Sequence, residues 1–176
     1  MGAVRVSLKD AGVVCLFVVG LIFILYALLV PSVVSGVHWL ITLSALLFLV
    51  ALPAIYESLR RTRIVAARGV VTLMGVAMIT IVASDVSLAL SLLSRFNHEV
   101  TYAVANAMFI ISVIAIGILA LRGVLFKWFG DLSILTGVVG LSTYLPGVPW
   151  FLPMLSLMLL GLWSLALGFN VHELSR

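Results

Sequence analysis

Apolar residues in this chain fall into six long runs, at about 11–30, 38–56, 70–93, 100–121, 129–145 and 149–170, divided by short polar breaks. A run of about 20 apolar residues is the length of helix that crosses the hydrocarbon core of a bilayer, about 30 Å at 1.5 Å per residue. Lipid offers backbone N–H and C=O groups no partners, so such runs must be helical. The sequence therefore predicts an all-α, polytopic membrane protein, a single domain over residues 1–176 built as a six-transmembrane-helix bundle. Composition agrees. The chain is 64% hydrophobic and 9% charged, whereas an average soluble domain is about 25% charged. So large an apolar excess cannot be hidden in a core of this size. Six spans with short connections are expected to leave no room for a soluble domain.

The breaks are recognisable by their chemistry. Pro31-Ser32 and Ser35-Gly36 interrupt the first hairpin, Arg60-Arg61-Thr62-Arg63 forms a charged loop, and Ser94 to Glu99 reads as a polar one. Arg122 to Lys127 is short and basic, and Pro146-Gly147-Val148-Pro149 is a turn. Lysines and arginines in short loops set orientation. With the N-terminus inside, one side receives Arg5, Lys9, Arg60, Arg61, Arg63, Arg68, Arg122, Lys127 and Arg176, and the other only Arg95. That bias predicts cytosolic N- and C-termini and explains the basic pI of 9.7 without nucleic acid. Trp39, Tyr102, Tyr144 and Trp150 fall near the expected outer interface, Tyr56 and Trp128 near the inner one.

Arg5 and Lys9 before an apolar run imitate a signal peptide, but the run from Ala11 to Val30 is too long for one, and an uncleaved first span is expected. Val6 stands where N-myristoylation needs Ser or Thr. The single cysteine, Cys15, lies within the first run, which rules out an internal disulfide framework. A faint internal repeat relates the second and sixth runs: Gly36-Val37-His38-Trp39-Leu40 matches Gly147-Val148-Pro149-Trp150-Phe151, then Leu43-Ser44 matches Leu155-Ser156. Both runs go from outside to inside, so this would be a repeat of parallel hairpins, unlike the inverted repeats of many transporters.

Polar groups at membrane depth are costly and are candidates for function. Asp85 lies about seven residues from the outer end of the third run, roughly 10 Å deep, among Ser84, Ser87 and Ser91. Asn106 lies at nearly equal depth on the returning fourth run, with Tyr102 one turn above it. The expectation is a polar cluster of Asp85, Tyr102, Asn106 and Ser156 in the outer half, with an Asp85–Asn106 hydrogen bond between helices. No Lys or Arg lies at that depth to pair with Asp85. The cluster reads as helix-joining glue, as a ligand or ion site, or as a lipid-facing accident. Asp131 suits the start of the fifth helix, and Arg68 can reach the headgroups by its long stem. His38 and His98 sit near the outer interface and His172 in the tail, with no histidine at mid-span to bind haem. A metal ion shared by His38, His98 and Glu99 is the weakest of these readings, and neither metal nor other cofactor is expected. Ala103 and Ala107, and Gly137 and Gly140, mark close helix contacts.

The stretch Arg122-Gly123-Val124-Leu125-Phe126-Lys127-Trp128-Phe129-Gly130, leading into an apolar run, resembles a motif of a family of small six-span prokaryotic membrane proteins of unknown function. There an Arg and a short turn precede a Pro-basic-Trp-apolar-Gly run; here the turn is one residue shorter and the Pro is absent. The resemblance implies six spans and the plasma membrane of a prokaryotic cell, and it implies no activity or site residues.

Three functions are compatible with these readings. The first is a non-enzymatic accessory, assembly or sensory subunit, with the lipid bilayer and other membrane subunits or copies of itself as partners. The second is a small transporter or channel for protons, cations or a polar solute, coupled through Asp85. The third is an intramembrane enzyme acting on lipid or quinone with Asp85 and Tyr102 as acid and base, for which no second carboxylate, HExxH or nucleophile elbow is present.

Overall fold

The structure, a computed structural model, describes residues 8–29, 38–61, 63–123 and 125–174. Their regular elements are six helices: α1 (Leu8–Leu29), α2 (His38–Leu59), α3 (Ile64–Ala89), α4 (Arg95–Leu121), α5 (Lys127–Ser142) and α6 (Phe151–Glu173). Five of them, all but α5, are long and apolar enough to cross a membrane. The run expected over 129–145 yields a helix of only 16 residues, about 24 Å long. It stops where Ser142 and Thr143 turn their hydroxyls back onto the carbonyls of Val139 and Gly140.

Each helix packs against the next along the chain and α1 closes onto α6, so the six make a ring. Neighbours are antiparallel. Gly12 of α1 lies against Ala51 and Ala54 of α2, and Gly117 of α4 against Gly130 and Ser133 of α5. The α1–α6 seam is closest at Gly20 and Gly161, where a Cβ on either would stand 2.8 Å from the carbonyl oxygen of the other. Only glycine permits this approach, which exchanges side-chain volume for backbone contact. Gly137 and Gly140 receive Ile114 and Ile110 of α4, so that predicted pair of small residues does mark a helix contact.

Lys9, Arg60, Arg61, Arg63, Arg68, Arg122 and Lys127 stand at or next to the helix termini of one end of the ring, here the basic end; Arg95 stands at the opposite, far end. Toward the basic end the ring is filled by Phe48, Phe109, Phe129 and Trp163, one from each of α2, α4, α5 and α6, none more than 2% exposed. Ring centroids within this group lie 5.3 Å apart for Phe48–Phe109 and 6.3 Å for Phe129–Trp163, the spacing of favourable aromatic pairs. The Trp163 indole N–H donates to Ser133 Oγ at 2.8 Å, so its polar atom is not stranded. Buried Asn170 of α6 accepts the backbone N–H of Phe126 at 3.2 Å and donates to the Ala166 carbonyl at 2.8 Å, fixing the start of α5.

Among the boundaries that differ from the sequence expectation, the end of α3 and the start of α4 matter below. α3 ends at Ala89 rather than 93 because Ser91 takes a left-handed conformation, φ 58°. The N–H groups of Ser91 and Leu92 then fold back onto the carbonyls of Leu88 and Ser87 at 3.0 and 2.8 Å, a Schellman closure usually made with glycine. Ser94 next caps α4, its Oγ accepting the Asn97 N–H at 3.2 Å. α4 thus begins at Arg95, and the stretch expected as a polar loop is its first turn, carrying His98 and Glu99. Gly36 and Val37, which open the sequence repeat, lie outside the described residues, but α2 and α6 share a burial register: Ser44, Phe48, Ala51, Ile55 and Leu59 are buried in one as Ser156, Leu160, Trp163, Leu167 and Val171 are in the other. Both helices flank α1, and a common packing task gives them a common pattern.

Candidate functional site

Among the described residues, the far end of the ring is open. α5 ends level with Asn106, whose Nδ2 donates to the Tyr144 hydroxyl at 2.7 Å just beyond the helix. Asn106 is eleven residues into α4, so α4 rises about 16 Å past the end of its neighbour. That mismatch of lengths leaves a cleft of about 690 Å³, walled by α2, α3, α4 and Tyr144. A second chamber of about 200 Å³ lies beneath it, lined chiefly by apolar side chains such as Phe23, Ile41, Met78 and Leu157. Tyr102 and Asn106 line both spaces, so the two adjoin. The chamber ends on Phe48 and Phe109, the upper face of the aromatic layer that they form with Trp163.

Asp85 is on the cleft wall. Its Oδ2 accepts the Thr42 hydroxyl of α2 at 2.5 Å, and its Oδ1 stands 3.6 Å from Nε2 of His98 on α4. The other ring nitrogen of His98 is 2.8 Å from Ser84 Oγ. With Nδ1 unprotonated, Ser84 donates to it and Nε2 carries its hydrogen toward the carboxylate, which satisfies both nitrogens. The Asp85 and His98 side chains are 11% and 12% exposed, so this is a nearly buried pair linking three helices, α2, α3 and α4. Tyr102, one turn below His98, packs its ring 5.8 Å from the imidazole. At the rim, Arg95 pairs with Glu99 at 3.3 Å, both well exposed.

Of the four predicted site residues, Asp85, Tyr102 and Asn106 meet at the cleft, and Ser156 lies in the chamber below with Tyr102 and Asn106. The expected Asp85–Asn106 hydrogen bond is replaced by others: Asp85 binds Thr42 and faces His98, and Asn106 binds Tyr144. Sequence reasoning missed Thr42 and His98. Thr42 is one hydroxyl in an apolar run, with nothing local to single it out. His98 was assigned to a loop, and the available signal was Ser94, a good N-cap residue four positions earlier. The expectation that no Lys or Arg lies beside Asp85 left histidine out, and the group that faces the carboxylate is the imidazole of His98. The side chain of His38 lies outside the described residues, and among the described residues no three His, Cys, Asp or Glu side chains are placed to share a metal ion.

Ser84, His98 and Asp85 have the composition of a hydrolytic triad. Ser84 is buried and does not reach the cleft wall, however, and a nucleophile has to meet its substrate. Comparison with protein-family models, curated proteins and solved structures finds no match.

Proposed function

We propose that the chain is a six-span integral protein of a prokaryotic plasma membrane, with both termini cytosolic and the cleft facing outward, and that it serves without catalysis as a sensory or accessory subunit. The observation that carries this reading is the blind cleft: an open, partly polar cavity that leads inward and stops on packed aromatic rings. A cavity closed at its inner end holds a ligand rather than conducting it. Orientation rests on the bias of basic residues toward the other end, which leaves the cleft outside. α5 counts as the sixth span because it runs antiparallel to α4 from Gly130 to Gly140 and its first half runs antiparallel to α6, and the turn after it supplies the missing depth. The connections between helices are at most eight residues long, so an occupied cleft is read out through helix packing by another membrane protein. Native mass spectrometry of the gently extracted protein tests this. The expected mass exceeds a whole multiple of 18.9 kDa by a protein-sized increment. A bare monomer or homo-oligomer would rule out the subunit role.

A second reading, transport of protons or a cation through Asp85, is favoured by the placement of a carboxylate and an imidazole together at membrane depth. In that case the aromatic layer is a closed gate. Unchanged flux through the Asp85→Asn variant in proteoliposomes would count against it.

A further inference from the structure

The ligand class can be read from the way the two cavities are joined. Two carboxylates line the cleft, and Glu99 is exposed at the rim and pairs with Arg95. Asp85 is largely buried, accepts the Thr42 hydroxyl and faces the imidazole of His98, so a head group would join these two neighbours at Asp85. Trp39, Tyr102 and Tyr144 line the same cleft. A carboxylate that shares a cleft with aromatic side chains is a surrounding that favours an organic cation, which draws on the charge and on ring quadrupoles together. Metal ions are less well suited, because hard cations favour several carboxylate and carbonyl oxygens and no three His, Cys, Asp or Glu side chains among the described residues are grouped to hold one. Below, the chamber is lined by apolar side chains, and Tyr102 and Asn106, which line both spaces, join it to the cleft. We propose that the two cavities together take an amphiphilic ammonium ion, its head at Asp85 and its apolar tail in the chamber. The proposal rests on the cleft being a ligand site, as argued above, and adds the chemistry of the ligand. The ammonium group could belong to a free amine or to the headgroup of an aminophospholipid; the recognition is the same.

The test is equilibrium binding of n-alkylammonium ions, from butyl to dodecyl, to the whole protein in phosphatidylglycerol nanodiscs, with empty nanodiscs as the blank. Alkanols and alkyl sulfates of equal length are run beside them. Affinity for the ammonium ions is expected to rise about fourfold per methylene and then to level off once the chamber is full, with alkanols and sulfates binding more weakly at every length. Asp85→Asn is expected to make ammonium and alkanol equivalent. Leu157→Phe, which leaves the carboxylate in place, should bring the plateau to shorter chains. Should Asp85→Asn fail to fold, the Leu157→Phe series and the wild-type headgroup comparison still decide the matter. Alkanols or sulfates binding as tightly as ammonium ions to the wild type would overturn the cation while leaving a ligand cleft. No binding of any of the three classes above the blank would overturn the ligand site as well. Nanodiscs of phosphatidylethanolamine separate the sources: a weaker apparent affinity there points to competition by a lipid headgroup, and an unchanged one to a free amine, both in keeping with the proposal.

Discussion

The two ends of the ring use the same helices and are held together by different forces. Toward the basic end the contacts are mainly volume against volume, four aromatic rings in one layer and the Gly117–Gly130 approach, with the Asn170 hydrogen bond to Phe126 added at the start of α5. At the far end α5 has already stopped, and the remaining helices are tied by isolated polar pairs, Thr42–Asp85, Ser84–His98 and Asn106–Tyr144. In a bilayer dense packing supplies most of the helix association, whereas single polar pairs are worth about 0.6 kcal/mol on average. One end is therefore built for stability. The other is held open at small cost, which is what a binding site requires.

That contrast can be broken most forcefully at Trp163. Trp163→Ala removes the largest fully buried side chain and leaves Ser133 without its donor, so an unfolding titration in mixed micelles should show a loss of about 3–5 kcal/mol. Next comes Gly161→Val, which pushes a side chain onto the Gly20 carbonyl and should cost about 1–3 kcal/mol by the same titration. Asn170→Ala strands the Phe126 N–H, and an effect of about 1–2 kcal/mol is expected. At the far end, Thr42→Val should cost less than any of these, about 0.6 kcal/mol. A loss there as large as at Trp163 would show that the polar network, not the aromatic layer, holds the ring. An effect of similar size but opposite sign is a gain. Ser91→Gly relieves a left-handed serine and should add about 0.5–1 kcal/mol, read as a raised melting temperature.

What the sequence made legible follows from the reach of its signals. Hydropathy marks where a helix exists, and each of the six runs does contain one. It marks ends poorly, since these depend on a hydroxyl folding back at Ser142 and Thr143 or on the dihedral angle of Ser91. The depth argument placed Asp85, Tyr102 and Asn106 together because equal distances from one turn give equal depth on antiparallel helices. It could not choose their partners. Those depend on helix rotation, which in an all-apolar run leaves almost no trace: Thr42 turned toward Asp85 reads the same as Thr42 turned toward lipid. The α1–α6 seam was equally hidden, because Gly20 and Gly161 are far apart in the chain and Gly20 has no small residue three or four positions away.

The difference between the ends comes down to water: the cleft should admit it from outside the cell, and the aromatic layer should not. Cys15 is the only cysteine, so Cys15→Ala provides a blank on which Ala103→Cys, on the cleft wall, and Ala120→Cys, buried toward the basic end, can each be probed with a membrane-impermeant maleimide. Ala103→Cys should label on intact cells and be protected by a long-chain alkylammonium ion, while Ala120→Cys should label from neither side. Labelling of Ala103→Cys only in inverted vesicles, or of Ala120→Cys on intact cells, would contradict an outward-facing blind cleft.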